Sequence, residues 1–381
     1  MSPHRRTPQD GFSMIEILVS MVIGLVVTLI ISQTVANYEG FKRTTTTGAG
    51  AQESGVFSLS TIERDVRAAG WGMPTADIMA CAAYFTYFSN GTIVGPVPNF
   101  PQMPVRIVDG GTAPGASDAI TVLWGTSVRS NVRDSLLQNV VPIPSGTSAS
   151  NLQPATRVGL SGVGGFVWLT DDGGNCSLVQ ITASVANPAD PTTVILSHNP
   201  GSASAGQPAY NPPDAYMAAN GWPASYGANP RLFDVGTLTQ RTYFLNNGSL
   251  FSQDYFSSTA LVELNNNVVS VKAQYGISAA GSQVVDNWVS ATNGGAGNWA
   301  NPTATDAKRI KAVRVAVVTR SPLKERVPVG SVACTTTTTP PTTWPGGPAV
   351  DLSNDADWRC YRYRVFETIV PLRNVLWANL S

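Results

Sequence analysis

The apolar segment near the N-terminus is the feature that most restricts how this chain can fold. Glu16 is the only ionisable side chain in residues 12–37. Residues 12–31 extend about 30 Å as a helix, which matches the hydrocarbon core of a bilayer. Arg5 and Arg6 precede the segment, and basic residues of this kind stay on the cytoplasmic side. The segment therefore predicts one membrane-spanning helix, with the rest of the chain on the far side of the membrane.

Three interpretations of this segment compete. An ordinary secretory signal peptide ends in a small-residue cleavage site, and Thr34-Val35-Ala36 matches such a site only weakly. A plain signal anchor explains the hydrophobicity but gives Glu16 no role. A carboxylate near the bilayer interior costs about 2.5–3.5 kcal/mol, so a lone one normally has a partner and a function. The third interpretation gives every residue of the segment a role.

The residues around Glu16 carry that third interpretation. The stretch Gly11-Phe12-Ser13-Met14-Ile15-Glu16 resembles the processing motif of type IV prepilins and the related pseudopilins. The resemblance implies that residues 1–11 are a leader peptide, that a prepilin peptidase cuts after Gly11, and that Phe12 is then N-methylated. It also implies that Glu16 meets the N-terminal amine of a neighbouring subunit. That pairing would neutralise the buried carboxylate once subunits assemble.

The helix is expected to continue beyond the membrane. Residues 12–37 form its membrane and fibre-core half, and residues 38–72 form its soluble half. Thr44–Thr47, Gly48 and Gly50 are poor helix formers and predict a bend or a local melt. Apolar residues at a three-to-four spacing predict one buried face, and they are Val56, Leu59, Ile62, Val66 and Ala69. Glycines and Pro74 then predict the helix end.

The pattern changes after Pro74 to short strands separated by turns. No regular alternation of strands and helices appears, so a mainly antiparallel sheet is predicted. Asn246-Asn247-Gly248-Ser249 predicts a hairpin turn. The predicted strands are 119–124, 165–169, 193–196, 239–245, 268–275, 310–320 and 361–370. The fold class is therefore α+β, with a long N-terminal helix packed on a periplasmic β-rich domain of residues 73–381, as the pilin resemblance also implies.

Several stretches at both ends of the chain resemble PilW-type minor pilins. They are Gln52–Gly72, Val268–Gly276, Ile310–Ser321 and Tyr363–Asn374. The resemblance implies a protein that is held in the inner membrane, then enters the pilus and helps to prime its assembly at the tip. The implied partners are other minor pilins, the major pilin, a PilC-type tip adhesin, the prepilin peptidase and the inner-membrane assembly platform.

Two alternatives remain open. A GspJ-like minor pseudopilin of type II secretion carries the same N-terminal motif, although the long body and the C-terminal likeness favour the PilW type. A secreted binding protein or hydrolase with an ordinary signal peptide belongs to a different class of function. The mature N-terminus separates this last alternative from a pilin.

The chain offers little sign of catalytic, metal or nucleic-acid chemistry. It has 24 basic and 24 acidic residues and no net charge, whereas a nucleic-acid binder normally has a basic excess. His198 is the only histidine beyond the leader and is expected in a surface loop. Asp171-Asp172-Gly173-Gly174-Asn175 lacks the spacing of a calcium-binding EF-hand and predicts a turn between strands. We therefore expect no enzyme, no metal site, no cofactor and no nucleic-acid partner.

Four cysteines occur, at Cys81, Cys176, Cys334 and Cys360. None forms a Cys-x-x-Cys pair, which argues against zinc, and disulfides persist in the periplasm. Four cysteines allow three pairings, and the sequence does not choose among them. Our expectation is Cys81 with Cys176 and Cys334 with Cys360, and unpaired buried cysteines are the alternative.

Overall fold

The computed structural model describes residues 11, 13–98, 100–101, 103–129, 132, 134–135, 151–223, 226, 230–294, 297–325, 327 and 331–378. Phe12 and residues 1–10 of the predicted leader lie outside the described residues. The helices are α1 Met14–Ala68, α2 Thr75–Ile78, α3 Asp214–Ala219, α4 Ala304–Ala307 and α5 Arg373–Ala378.

Strands make up most of the body. They are β1 Ala83–Phe85, β2 Phe88–Ser89, β3 Val94–Gly95, β4 Val105–Val108, β5 Ala119–Trp124, β6 Asp134–Ser135, β7 Asn151–Leu152, β8 Phe166–Thr170, β9 Asn175–Gln180, β10 Ala183–Asn187, β11 Asp190–Ser197, β12 Arg231–Gly236, β13 Thr239–Asn246, β14 Ser249–Asp254, β15 Ser258–Asn266, β16 Val268–Ile277, β17 Asn287–Val289, β18 Asn293–Gly294, β19 Gly297–Asn298, β20 Ile310–Arg320 and β21 Tyr363–Pro371.

The first helix is continuous over 55 residues, or about 83 Å at 1.5 Å per residue. It remains helical through residues 44–50, so the local melt predicted there is wrong. Helix hydrogen bonding is cooperative, and one run of weak formers within a long helix does not interrupt it. The helix ends as predicted at a glycine pair, because Gly70 and Gly72 adopt φ of +76° and +66°, which favour glycine over other residues.

Two antiparallel sheets pack against the second half of α1. One has the strand order β15-β14-β13-β5-β4, and the other has the order β17-β16-β20-β21. Ile62 and Val66 of α1 are fully buried in the core that these sheets share. We call α1 with these two sheets the helix-packed lobe, and its mainly antiparallel architecture confirms the α+β expectation.

A second lobe has its own hydrophobic core. Its five-stranded sheet has the order β1-β9-β8-β12-β6, and a three-stranded sheet has the order β10-β11-β7. The β1–β9 pair is parallel, while the other pairs of these two sheets are antiparallel. Leu169 and Val179 are buried in that core, whereas Trp168 is fully buried in a cluster that it shares with Leu123 of β5. Strand β1 and strands β6 to β12 therefore form a second layer of structure beside the helix-packed lobe.

The strand β20 is buried on both faces. Val313, Val315 and Val317 face the core beneath α1. On the opposite face, Val318 packs against Val350 and Leu352, which belong to the loop between Cys334 and Cys360. This loop explains why the strand lacks the exposed face that an alternating pattern predicts.

The predicted hairpin is present between β13 and β14. Asn247 and Gly248 occupy its two turn positions with φ of 49° and 77°. Two successive positive φ angles define the type I′ turn that joins twisted antiparallel strands, and the Asn-Gly pair is the sequence that best tolerates it.

Candidate assembly site on the N-terminal helix

The apolar half of α1 stands clear of the body. Residues Met14–Ala36 form a helix long and apolar enough to cross a membrane, and none of it is buried by the rest of the described chain. Such a surface is unfavourable in water because exposed apolar area costs about 25 cal/mol per Å². This half of the helix therefore needs a second environment, either lipid or other apolar helices.

Three hydroxyl groups of this segment are satisfied within the helix. The side chains of Ser20, Thr28 and Thr34 each donate a hydrogen bond to the carbonyl four residues earlier, at 2.6, 2.7 and 2.8 Å. In the hydrocarbon core of a bilayer, polar groups must find their hydrogen-bond partners within the protein, because no water is present. The hydroxyls are therefore compatible with lipid and need no partner from another chain.

Glu16 differs from these hydroxyls because it carries a charge. Its Oε2 accepts a hydrogen bond from the backbone N–H of Ser13 at 3.0 Å, in a capping arrangement at the start of the helix. The bond stabilises the first turn but leaves the negative charge uncompensated by any cation in the described part of the chain. The side chain is exposed, so a cation from another molecule can reach it.

A buried charged contact fastens the second half of α1 to the body. Asp65 is only 4% exposed, and it accepts hydrogen bonds from Arg241 Nη1 at 2.8 Å and from the Tyr243 hydroxyl at 2.5 Å. Arg241 also lies over the ring of Trp124, 5.5 Å from its centroid. Burial raises the pKa of Tyr243, so the hydroxyl remains a donor. The sequence gives no sign of this role for Asp65, because a charged residue at one helix position does not show whether its side chain is buried.

The buried face of α1 differs from the predicted one at its first position. Val56 is 52% exposed, and Gly55 faces the sheet in its place. A Cβ on Gly55 would lie 2.0 Å from the Phe366 ring. Nearby, Thr319 Oγ1 donates to the carbonyl of Ala51 at 2.8 Å. The helix therefore approaches the sheet through small residues here, which a search for large apolar side chains cannot find.

Two family models match the chain at its two ends. Residues 6–32 match the prokaryotic N-terminal methylation motif. Residues 232–374 match the model of Type IV Pilus-assembly protein W. Together the two matches support a PilW-type minor pilin of the type IV pilus. The search of curated proteins and the search of solved structures each returned no match.

The two matches fit the geometry of this PilW-type pilin. The methylation motif covers Glu16 and most of the exposed apolar helix. The PilW match covers β12 to the start of α5, which includes the β17-β16-β20-β21 sheet and strands β13–β15 of the other sheet under α1, but not β4 and β5. The pilin is anchored in the inner membrane by this single helix and is then incorporated into the pilus. The prepilin-like motif at the N-terminus and the PilW-like stretches Val268–Gly276, Ile310–Ser321 and Tyr363–Asn374 are confirmed, whereas Gln52–Gly72 lies outside both matches.

The two disulfides of the pilin lie in different lobes. Cys81 is bonded to Cys176, and Cys334 is bonded to Cys360, which is the pairing that we expected. The first bond ties the segment after α2 to β9 of the second lobe. The second closes the loop that covers β20. A bridge of this kind typically contributes about 2–4 kcal/mol by restricting the unfolded chain.

His198 is not in the exposed position that we predicted. The prediction of a surface loop histidine is wrong, because the side chain is 1% exposed. It follows β11, and burial lowers its pKa to about 4. Its loop folds back onto the sheet, where Asn211 Nδ2 donates to the carbonyls of Gln180 and Asn199 at 2.7 and 3.0 Å. The polar sequence of the loop therefore gave no indication that the His198 side chain is buried.

The remaining sequence candidates form structural contacts. Asp171 accepts hydrogen bonds from the Asn175 backbone and side chain, both at 2.9 Å, in the predicted turn between β8 and β9. Within the described residues, no group of three or more His, Cys, Asp or Glu side chains is arranged to hold a metal. A buried pair that the sequence did not reveal joins Lys272 Nζ to Asp118 at 2.9 Å.

Proposed function

We propose that this pilin is cut after Gly11, methylated on Phe12 and assembled into the fibre through residues 12–37, with Glu16 setting its axial position. The single observation that carries the proposal is the Glu16 carboxylate, which has no cation partner among the described residues and lies on the otherwise uncharged, exposed first half of α1. Cleavage after Gly11 creates a positive amine at Phe12, four residues before that carboxylate. Each subunit then carries one cation and one anion at the same end of its apolar helix.

The electrostatics favour pairing between subunits. A carboxylate placed in an apolar environment loses its hydration, and an ion pair offsets this cost only when its geometry is good. Apolar helices can slide along one another with little change in energy, whereas a charge pair fixes one axial offset. The amine of one subunit and Glu16 of its neighbour therefore define the register of the helices.

The body is the part that distinguishes this subunit from a simple fibre component. We propose that it acts with other minor pilins to prime assembly at the tip, in contact with a PilC-type adhesin, the major pilin and the inner-membrane assembly platform. The PilW match supports a role in pilus assembly. We propose no catalytic activity, because the described polar clusters are structural pairs and turns.

The substitution Glu16→Ala tests the register role. We expect the variant to be cleaved and methylated normally, because the Gly11–Phe12 bond is unchanged, but to be incorporated into pili at least tenfold less. Quantitative immunoblots of sheared pili and of membranes measure the two quantities. The matched control is Ser20→Ala, which removes a hydroxyl satisfied within the same helix and should leave incorporation unchanged. Normal incorporation of E16A would show that the carboxylate does not set the register.

A further inference from the structure

A cleft lies beside the attachment of α1, where three segments of the chain meet. Its cavity volume is about 180 Å³ and it opens to solvent, so it is smaller than a typical drug-sized ligand site of about 300–1,000 Å³ and suits a single side chain. One wall follows α2 and β1, the second is β4 with the residues before it, and the third is the loop that enters α4. Neither family match assigns a function to this place.

Most of the residues that line the cleft are apolar, although polar atoms contribute the larger share of its exposed surface. Met79 and Met103 are nearly buried at its base, and Phe100 and Tyr84 flank them. Methionine side chains are flexible and polarisable, so they adapt to aliphatic or aromatic groups of different shape. The cleft can therefore accept one large apolar group without strict shape selection.

Arg106 is the only charged side chain among the described residues that line the cleft. It lies on β4, where Val105 and Ile107 point into the core and Arg106 points to the opposite face. The Arg106 side chain makes no hydrogen bond or ion pair with any described residue. In contrast, Arg129, Arg241 and Arg320 each bind a carboxylate. A guanidinium is suited to a carboxylate because its N–H groups match the two oxygens.

The walls are held in place before any ligand arrives. The Cys81–Cys176 disulfide fixes the first wall. In the third wall, Thr303 accepts a hydrogen bond from the Asp306 N–H at the start of α4, at 3.2 Å. Arg309 Nε donates to the carbonyl of Ser278 at 2.9 Å, which ties the same segment to the sheet. A preformed site loses less entropy on binding than one that must be ordered.

We propose that this cleft binds the C-terminal residue of another polypeptide chain, with its carboxylate on Arg106 and a large apolar side chain between Met79 and Met103. The occupant is argued from charge complementarity and size. One unpaired cation matches one carboxylate, and the space suits a single large side chain better than a long lipid tail. The proposal is independent of how Glu16 acts in the fibre.

Binding of two matched probes to the full-length pilin in detergent tests the proposal. N-acetyl-phenylalanine carries a carboxylate, and its amide has the same ring without the charge. Methyl NMR of the protein labelled at methionine reports the site directly. We expect the acid to shift the methyl signals of Met79 and Met103 and to bind about tenfold tighter than the amide, since a charge-assisted hydrogen bond is lost with the amide. The signals of Met73 and Met217, which do not line the cleft, should not move.

Variants then assign the selectivity to Arg106. In R106Q the acid should lose its advantage over the amide, while R106K should keep part of it. The control R157Q removes an exposed arginine elsewhere and should bind as the unaltered protein does. Unchanged Met73 and Met217 signals establish that a variant is folded. The proposal is overturned if the acid leaves Met79 and Met103 unshifted, if acid and amide bind equally to the unaltered protein, or if R106Q keeps the preference for the acid.

Discussion

His198 shows at the scale of one residue how burial can reverse an expectation from sequence. The loop Ser197-His198-Asn199-Pro200 is polar and contains proline, which is typical of a surface turn. Residue polarity did not reveal that Asn211 would bind this loop to the neighbouring strand. The buried ring lies without a partner on its Nε2 atom among the described residues, so protonation there has no compensating contact.

This burial predicts a specific dependence of stability on pH. The folded pKa of about 4 lies below the ordinary value of 6.5, so the unfolded chain binds the proton more readily and stability falls as pH decreases from 6.5 to 4. The loss amounts to roughly 3 kcal/mol at the lower end. Urea unfolding of the protein and of H198N at pH 7, 5.5 and 4.5 measures it. The variant should lose less stability between these values, and equal losses would contradict a buried neutral histidine.

At the scale of elements, the contact between α1 and β21 depends on Gly55, which has no side chain to separate the helix from the Phe366 ring. Helix periodicity correctly predicted that Ile62, Val66 and Ala69 would be buried, because large apolar residues reveal a core face. It was wrong about Val56, because the helix rotates its small residues toward the ring of Phe366. Strand positions were easier to predict, since runs such as Ile310–Arg320 are dense in β-branched residues and became β20 as a whole.

Gly55→Ala tests this close approach. The new Cβ would overlap the Phe366 ring, and overpacking of this kind costs about 1–3 kcal/mol, against a gain of about 1 kcal/mol in helix propensity. We expect a net loss of stability in thermal unfolding of the detergent-solubilised protein. Gly50→Ala is the matched control, because its Cβ would meet Pro322 at an ordinary 3.6 Å.

A second substitution separates the steric effect from a general loss of stability. In the F366A background the ring is absent, so G55A should be neutral or stabilising there. A coupling energy between the two sites of about 0.5–3 kcal/mol is the expected result. Strictly additive losses would show that Gly55 does not pack against Phe366.

At the scale of the whole molecule, the two lobes meet in a shared apolar cluster, where Leu123 of β5 lies with Trp168 and Phe233 of the second lobe, and at close backbone contacts beside it. Gly125 donates its N–H to the carbonyl of Trp71 at 2.7 Å, and the N–H groups of Thr126 and Ser127 both bond the carbonyl of Val235 at 3.0 Å. A Cβ on Gly125 would lie 2.4 Å from the same carbonyl oxygen. The order of the strands along the chain did not predict this junction. It joins residues that are far apart in sequence, and its closest backbone contact is possible only because residue 125 is a glycine.

Gly125→Ala should therefore destabilise the protein by about 2 kcal/mol or more, because a clash with backbone cannot be relieved by a rotamer change. This corresponds to a decrease of about 3 °C in melting temperature for a body of this size. Gly162→Ala is the control, since nothing lies within 4 Å of its added Cβ. Equal melting temperatures for G125A and G162A would contradict the tight junction.

The N-terminal motif was the strongest prediction from sequence because its chemistry is local. A glycine, a phenylalanine and a carboxylate at fixed spacing need no tertiary fold to be recognised. Packing of the lobes and the cleft beside Arg106 depend on distant residues, and the sequence pattern does not bring these together.

The mass of the mature protein tests the central claim most directly. Intact and peptide mass spectrometry of the pilin isolated from membranes and from sheared pili reads the first residue and its modification together. We predict that the mature chain begins at Phe12, carries one N-terminal methyl group and retains Glu16. A mature chain that begins near residue 37, without methylation, would contradict the account, because the apolar helix would then have been removed as an ordinary signal peptide.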